Sequence, residues 1–139
     1  MVCLFCQSSG TRVINSRPHA SQPNTWRRRC CTMCHGTFTT YEIPSDRALP
    51  PVQSPDTTTQ FSRAQLMISL YRDLPDTVTR ADDASELAST IVNNLLRQPH
   101  STLTPQTIAT AAYAVLRRYD TPSGIRYGSR HGLVDTKML

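Results

Sequence analysis

Two pairs of cysteines constrain this chain more than any other feature. Cys3 and Cys6 form one C-x2-C unit, and Cys31 and Cys34 form a second, with 24 residues between the pairs. A tight turn of that spacing offers two sulfurs to one metal ion, and two such turns complete a tetrahedral site. Four thiolates leave no open coordination position, so the expected site is a closed structural one holding a single Zn2+. An iron–sulfur cluster is the minor alternative for the same ligands. Cys30 adjoins Cys31 but would break the x2 spacing, and alternation puts it on the other strand face, so it reads as a spare thiol. The gap between pairs is long for such a module and requires a long hairpin loop inside it.

The residues around the pairs read as strands. Thr11 to Asn15 is rich in β-branched residues and predicts a short strand. Ser16 to Asn24 carries two prolines and small polar residues and predicts a loop. Trp26 to Cys31 predicts a second strand, with Trp26, Arg28 and Cys30 on one face and Arg27, Arg29 and Cys31 on the other. Gly36 is expected to supply the positive φ of the second cysteine turn. Thr37 to Ile43 alternates Thr with aromatic residues and predicts a third strand. Residues 1–43 therefore read as a three-stranded zinc ribbon, a unit too small to fold without its metal.

Charge is concentrated in this segment. Residues 1–47 hold six arginines against Glu42 and Asp46, whereas residues 48–139 hold nine basic and eight acidic residues. Arg12, Arg17, Arg27, Arg28 and Arg29 thus place forked cations on a rigid ribbon, which suits phosphate or a guanine edge. A charge run is also what a plain solvated face looks like, and four thiolates around zinc themselves absorb part of the excess. Trp26 either packs on the ribbon or stacks on nucleic acid; with so little core, packing is its expected role. His35 follows a ligand, but four sulfurs already fill the site, so it reads as a solvent or phosphate contact. His19, His100 and His131 have no partner spacing and read as surface residues.

Residues 44–60 contain four prolines with a run of Ser and Thr, and read as a linker without lasting strands. Three helices follow in residues 61–139. Ser62-Arg63-Ala64-Gln65 is a capping box with Phe61 and Leu66 in the staple positions. Asp83 to Glu86 opens a second helix, which Pro99 stops. Thr104 caps a third, with Pro105 in its first turn and Leu103 and Ile108 as the staple; Pro122 closes it. Each helix carries an apolar stripe of core type. A fourth helix over Ile125–His131 would be weak because of its glycines. The fold class is α+β: a small zinc ribbon followed by a small helical bundle.

No Ser-His-Asp order, paired carboxylates, H-E-x-x-H or glycine-rich phosphate loop stands out, so the sequence is not that of an enzyme. No apolar run approaches the ~18 residues of a membrane span. No segment of secretory type opens the chain, so the expected location is the cytoplasm, where cysteines stay reduced.

Several stretches together resemble one family. Cys3-Leu4-Phe5-Cys6, Thr11 to Arg17, Arg27 to Cys34 and Phe38 to Glu42 are similar, in order and spacing, to the N-terminal zinc ribbon of the bacterial ribonucleotide-reductase repressors (NrdR). Leu4, Asn15, Trp26 and Cys30 depart from the family's usual Pro, Asp, Arg and Gln or Glu. Phe61 to Leu66, Leu103 to Ile108, Val115 to Asp120 and Ile125 to Ser129 resemble, more loosely, the family's ATP-cone. The resemblance implies a transcriptional repressor in which Arg12, Arg17 and Arg27 to Arg29 face a double-stranded DNA operator, and in which the helical domain sets a homo-oligomer and binds ATP or dATP. In the family a hairpin with a Lys-Arg-Asp-Gly type segment precedes the first helix and holds the phosphates. Here Val52 to Gln60 has no Lys, Arg or Gly, the hairpin reads as missing, and no nucleotide-binding residue is assigned. The alternatives are a ribbon that docks on another protein, an RNA-binding module using the same arginines, and, least, a subunit of the reductase itself.

Overall fold

The computed structural model describes residues 1–20, 24–98 and 102–134, arranged as two compact units, Met1–Ser45 and Asp46–Leu139. His100 and the expected stop at Pro99 lie outside the described residues.

In the first unit, β1 (Thr11–Pro18), β2 (Thr25–Cys31) and β3 (Thr37–Glu42) form an antiparallel sheet in the order β1-β2-β3. The first strand runs through Pro18, so the loop expected from Ser16 starts later. Its backbone is held by pairing with β2, with Pro18 opposite Thr25, and an edge strand tolerates the missing proline N–H. An irregularity between Val13 and Asn15 leaves Ile14 unpaired. The core of this unit consists of Cys3, Cys31 and Phe38, with Phe5 edge-on to Phe38 at 6.3 Å.

The second unit opens with a one-turn 3-10 helix, Asp46–Ala48, and a hairpin of β4 (Val52–Gln53) and β5 (Thr58–Thr59). The expectation of a strandless linker is corrected here, as is that of a missing hairpin. Pro55 and Asp56 sit in a turn closed by Ser54 and Thr57. Leu49 is buried, Val52 packs on the helical core, and Gln53 N–H donates to the Leu103 carbonyl at 2.8 Å. Burial of these few apolar residues overrides a composition that favours disorder.

Four helices follow: α1 (Arg63–Tyr71), α2 (Arg80–Arg97), α3 (Pro105–Tyr119) and α4 (Thr121–Arg130). Ser62 Oγ caps α1 by accepting the Gln65 N–H, and Thr104 Oγ1 caps α3 by accepting that of Thr107. The second helix starts three residues earlier than expected, at Arg80; Thr79 precedes it and donates its hydroxyl to Asp83. Leu66, Leu70, Leu74, Leu87, Ile91, Val92, Leu95, Leu103 and Leu116 are buried in one core with Phe61 and Tyr127.

Pro122 does not close α3. It stands in the first turn of α4, which Asp120 caps by accepting the Ser123 N–H at 2.9 Å. This helix is no weak appendage either. A Cβ on Gly124 would meet the backbone of Arg117, so the glycine lets α4 lie directly on α3. Gly132, at φ +65°, ends α4 in a Schellman turn, with Leu133 N–H donating to Gly128 and Gly132 N–H to Ser129. Arg130 pairs with Asp73 and donates to the Ser69 carbonyl at 2.7 Å, tying α4 back to α1. His131, expected at the surface, is half-buried and stacks on Tyr127 with ring centroids 4.2 Å apart.

Candidate metal centre and nucleic-acid interface

The two C-x2-C segments fold into matching turns. Cys3 N–H donates to the Ser8 carbonyl at 2.8 Å, and Cys31 N–H to the Gly36 carbonyl at 3.0 Å, five residues on in both cases. Within each turn a backbone N–H reaches the first sulfur: Phe5 to Cys3 Sγ at 3.4 Å and Met33 to Cys31 Sγ at 3.3 Å. The residue after the second cysteine takes the left-handed conformation, Gln7 at φ 60° and His35 at φ 58°. Gly36 was expected to fill that role and does not. Its need for glycine is spatial: a Cβ there would overlap the Phe5 ring and stand 3.3 Å from Cys34 Sγ. Gly36→Ala should therefore push Phe5 off Phe38, lowering the unfolding midpoint of the zinc-loaded ribbon by an amount equivalent to about 0.5–1.5 kcal/mol. An unchanged midpoint in a thermal melt followed on residues 1–42 by NMR would contradict this packing.

The turns bring Cys3, Cys6, Cys31 and Cys34 together with all four sulfurs within 4.8 Å of one another. Cys3 to Cys34 and Cys6 to Cys31 are both 3.6 Å. Sulfurs about 2.3 Å from a tetrahedral zinc lie roughly 3.8 Å apart, so the cluster has the dimensions of a Zn–S4 site. Cys30 is not part of it; its thiol points to the Cys31 and His35 carbonyls. The electrostatics agree. The Cys34 and Met33 N–H groups bring Cys31 down to about 6, and those of Cys6 and Phe5 lower Cys3 against its burial. At Cys34 the Gly36 N–H favours the thiolate, but the sulfurs of Cys6, Cys3 and Cys31 outweigh it together with burial, and the thiol is pushed up to about 12. Four thiolates this close repel, and a divalent cation removes that repulsion. The ribbon holds one structural Zn2+.

The register sorts the arginines. Residues directly opposite in an antiparallel pair share a face. Trp26 pairs with Arg17 and Tyr41, Arg28 with Asn15 and Thr39, and Cys30 with Arg12 and Thr37. Arg12 and Arg17 are five apart, so a regular strand would put them on opposite faces. The unpaired Ile14 changes the phase and brings both onto the face of Arg28 and Trp26. Arg12, Arg17 and Arg28 are exposed, and Arg28 is steadied by donating to Thr37 Oγ1 at 3.0 Å. Arg27 and Arg29 lie on the other face, with Cys31 and Phe38. There Arg27 forms an ion pair with Glu42, and Arg29 donates to Thr40 Oγ1 at 3.2 Å. The sequence reading assigns all five to DNA, although alternation already sets Arg28 apart from Arg27 and Arg29; the register agrees with that alternation and adds Arg12 and Arg17 to the face of Arg28. Beside Trp26, a cleft of about 310 Å3 is lined by Arg17, Pro18, His19 and Ala20. His35 is exposed. Among the described residues, no helix is long and apolar enough to cross a membrane.

Comparisons with known proteins agree with this architecture. Residues 1–42 match the family model described as the NrdR-like transcriptional repressor N-terminal domain, a zinc ribbon. The transcriptional repressor NrdR of Dinoroseobacter shibae is 31% identical over 129 residues, which cover 93% of this chain and 83% of that protein. That of Geobacillus kaustophilus is 30% identical over 129 residues, covering 93% and 84%. That of Gloeothece citriformis is 27% identical over 132 residues, covering 95% and 73%.

Proposed function

The chain belongs to the NrdR family of transcriptional repressors, and we propose from that premise that it represses transcription by binding double-stranded DNA through its zinc ribbon. Its targets in this reading are ribonucleotide reductase genes, and it works in the cytoplasm, on the nucleoid. Residues 1–43 are the DNA-binding domain, and the helical domain in residues 61–139 sets a homo-oligomer.

The observation that carries the reading is the grouping of Arg12, Arg17 and Arg28 with Trp26 on one solvent-facing side of a metal-fixed sheet. Phosphate contacts need exposed cations in fixed register, and that face supplies them. Of the five arginines marked in the sequence, we assign direct DNA contact to these three. Arg27 and Arg29 have the supporting role of bracing the opposite face. One ribbon has a small footprint beside the ~1,000–2,500 Å2 of a specific protein–DNA interface, which is why several ribbons on an oligomer are needed.

The test is fluorescence anisotropy of labelled duplexes with zinc-loaded protein, using the promoter of the reductase genes and a scrambled duplex of equal length. The expected result is tighter binding to the promoter, with affinity falling steeply as salt rises. Failure to bind either duplex at low salt sinks the reading. Association with RNA alone, or with a protein partner in a salt-insensitive way, favours the corresponding alternative.

A further inference from the structure

The arginine-bearing face of the ribbon also carries two aromatic rings that phosphate contacts leave unused. Trp26 stands opposite Arg17 on β1 and Tyr41 on β3, so the three side chains form one row across all three strands. Cys31 and Phe38, which make up the ribbon's buried cluster with Cys3, lie on the opposite face. Trp26 is half-buried and Tyr41 is 61% exposed, so the packing expected of the tryptophan is only partial. Among the described residues, neither ring is stacked on another ring or capped by an arginine. Arg17 makes no hydrogen bond or ion pair among those residues either. The cleft of about 310 Å3 beside Trp26 has Arg17 and Pro18 in its wall, and lies at the small end of the ~300–1,000 Å3 of ligand sites.

Phosphates need cations and make no use of aromatic surface. Bases do use it, because each has a π-face that stacks on an aromatic side chain. In a duplex those faces are taken by neighbouring base pairs, so a base must be unpaired and splayed out to offer one. A row of cation, ring and ring on a rigid sheet can hold such a base on a ring while the guanidinium meets its phosphate.

We propose that Trp26 and Tyr41 form a stacking platform for unpaired DNA bases, with Arg17 on the adjoining phosphate. The proposal rests on the reading of this face as DNA-binding. It adds a preference for DNA that carries an unpaired base over fully paired duplex.

Fluorescence anisotropy with the zinc-loaded full chain tests it on three labelled probes at one low salt concentration. These are a scrambled duplex, the same duplex with one bulged thymine, and a single strand of thymidines. The bulged duplex should bind about tenfold tighter than the paired one, within what stacking of one base supports. Trp26 is the chain's single tryptophan, so its own emission reports the contact. The bulged duplex and the single strand should quench it more than the paired duplex does. Trp26→Leu should bind both duplexes alike, Trp26→Phe should keep most of the preference, and Tyr41→Leu should weaken the single strand by about fivefold. If Trp26→Leu loses its zinc, the quenching in the parent protein and the Tyr41→Leu variant decide. Equal affinity for the two duplexes, or a zinc-loaded Trp26→Leu that keeps the full preference, overturns the platform and leaves the DNA reading standing. Failure to bind any of the three probes removes both. Tighter binding of an RNA strand than of its DNA counterpart overturns the assignment to DNA.

Discussion

Stripping zinc with a strong chelator should unfold residues 1–42 and leave the helical unit folded. Among the described residues, the ribbon's buried hydrophobic cluster is Cys3, Cys31 and Phe38, and two of those are metal ligands. Burying one phenylalanine contributes about 1.5–3 kcal/mol. Ordering a backbone costs roughly 1–2 kcal/mol per residue, so three strands cannot be held by that core alone. The apparent binding free energy of a structural zinc, about 10–16 kcal/mol in small modules, makes up the difference. Among the described residues, the helical unit has its own core of sixteen buried residues and no share in the metal site. Far-UV circular dichroism should therefore keep its helical signal after chelation, while the amide resonances of residues 1–42 collapse toward random-coil positions. Loss of the helical signal in step with zinc would show that the two units do not fold separately. The same experiment with single variants separates neighbours: Cys31→Ser should abolish stoichiometric zinc, whereas Cys30→Ser should retain one ion per chain. Retention of zinc by Cys31→Ser would mean that Cys30 can take its place.

The metal centre was legible because its information is local. Spacing alone puts the four sulfurs on two turns, and no packing decision intervenes. The caps of α1 and α3 were legible for the same reason, since Ser62 and Thr104 each bond three residues ahead. What escaped the sequence depends on contacts distant along the chain. The stretch from Asp46 to Gln60 reads as a linker by composition, but Leu49 and Val52 find apolar partners in the helical core, and Gln53 finds a backbone acceptor in Leu103. Pro122 reads as a stop and is a first-turn residue, because Asp120 caps a new helix; Gly132 at the other end was an available signal for its length. Gly36 shows the limit most clearly. Its place after the knuckle suggested a positive φ, yet Gln7 and His35 carry that conformation, and only the position of the Phe5 ring explains the glycine. The bulge at Ile14 has no clear sequence signature, and it decides which arginines act together.

That bulge yields the sharpest test of the DNA-binding face. Arg12→Ala, Arg17→Ala and Arg28→Ala should each reduce the slope of log K against log salt by about 0.9, the value for one lost phosphate contact, and the triple variant by roughly three times that. Arg27→Ala and Arg29→Ala should leave the slope close to that of the parent protein. Their cost falls on the fold: the Arg27–Glu42 pair is part-exposed, so its loss is worth about 0–1 kcal/mol, read as a small shift in the ribbon's unfolding midpoint. Deleting Ile14 leaves Arg12 and Arg17 four apart in a regular strand, with their partners on β2 unchanged. Both should stay on the face of Arg28, and the slope should stay close to that of the parent protein. The comparison uses zinc-loaded protein throughout, since every variant must first hold its sheet. If Arg27→Ala lowers the slope as much as Arg28→Ala, both faces meet the duplex, as for a ribbon inserted edge-on into a groove. If none of the five changes it, the charge on this sheet is not what holds DNA.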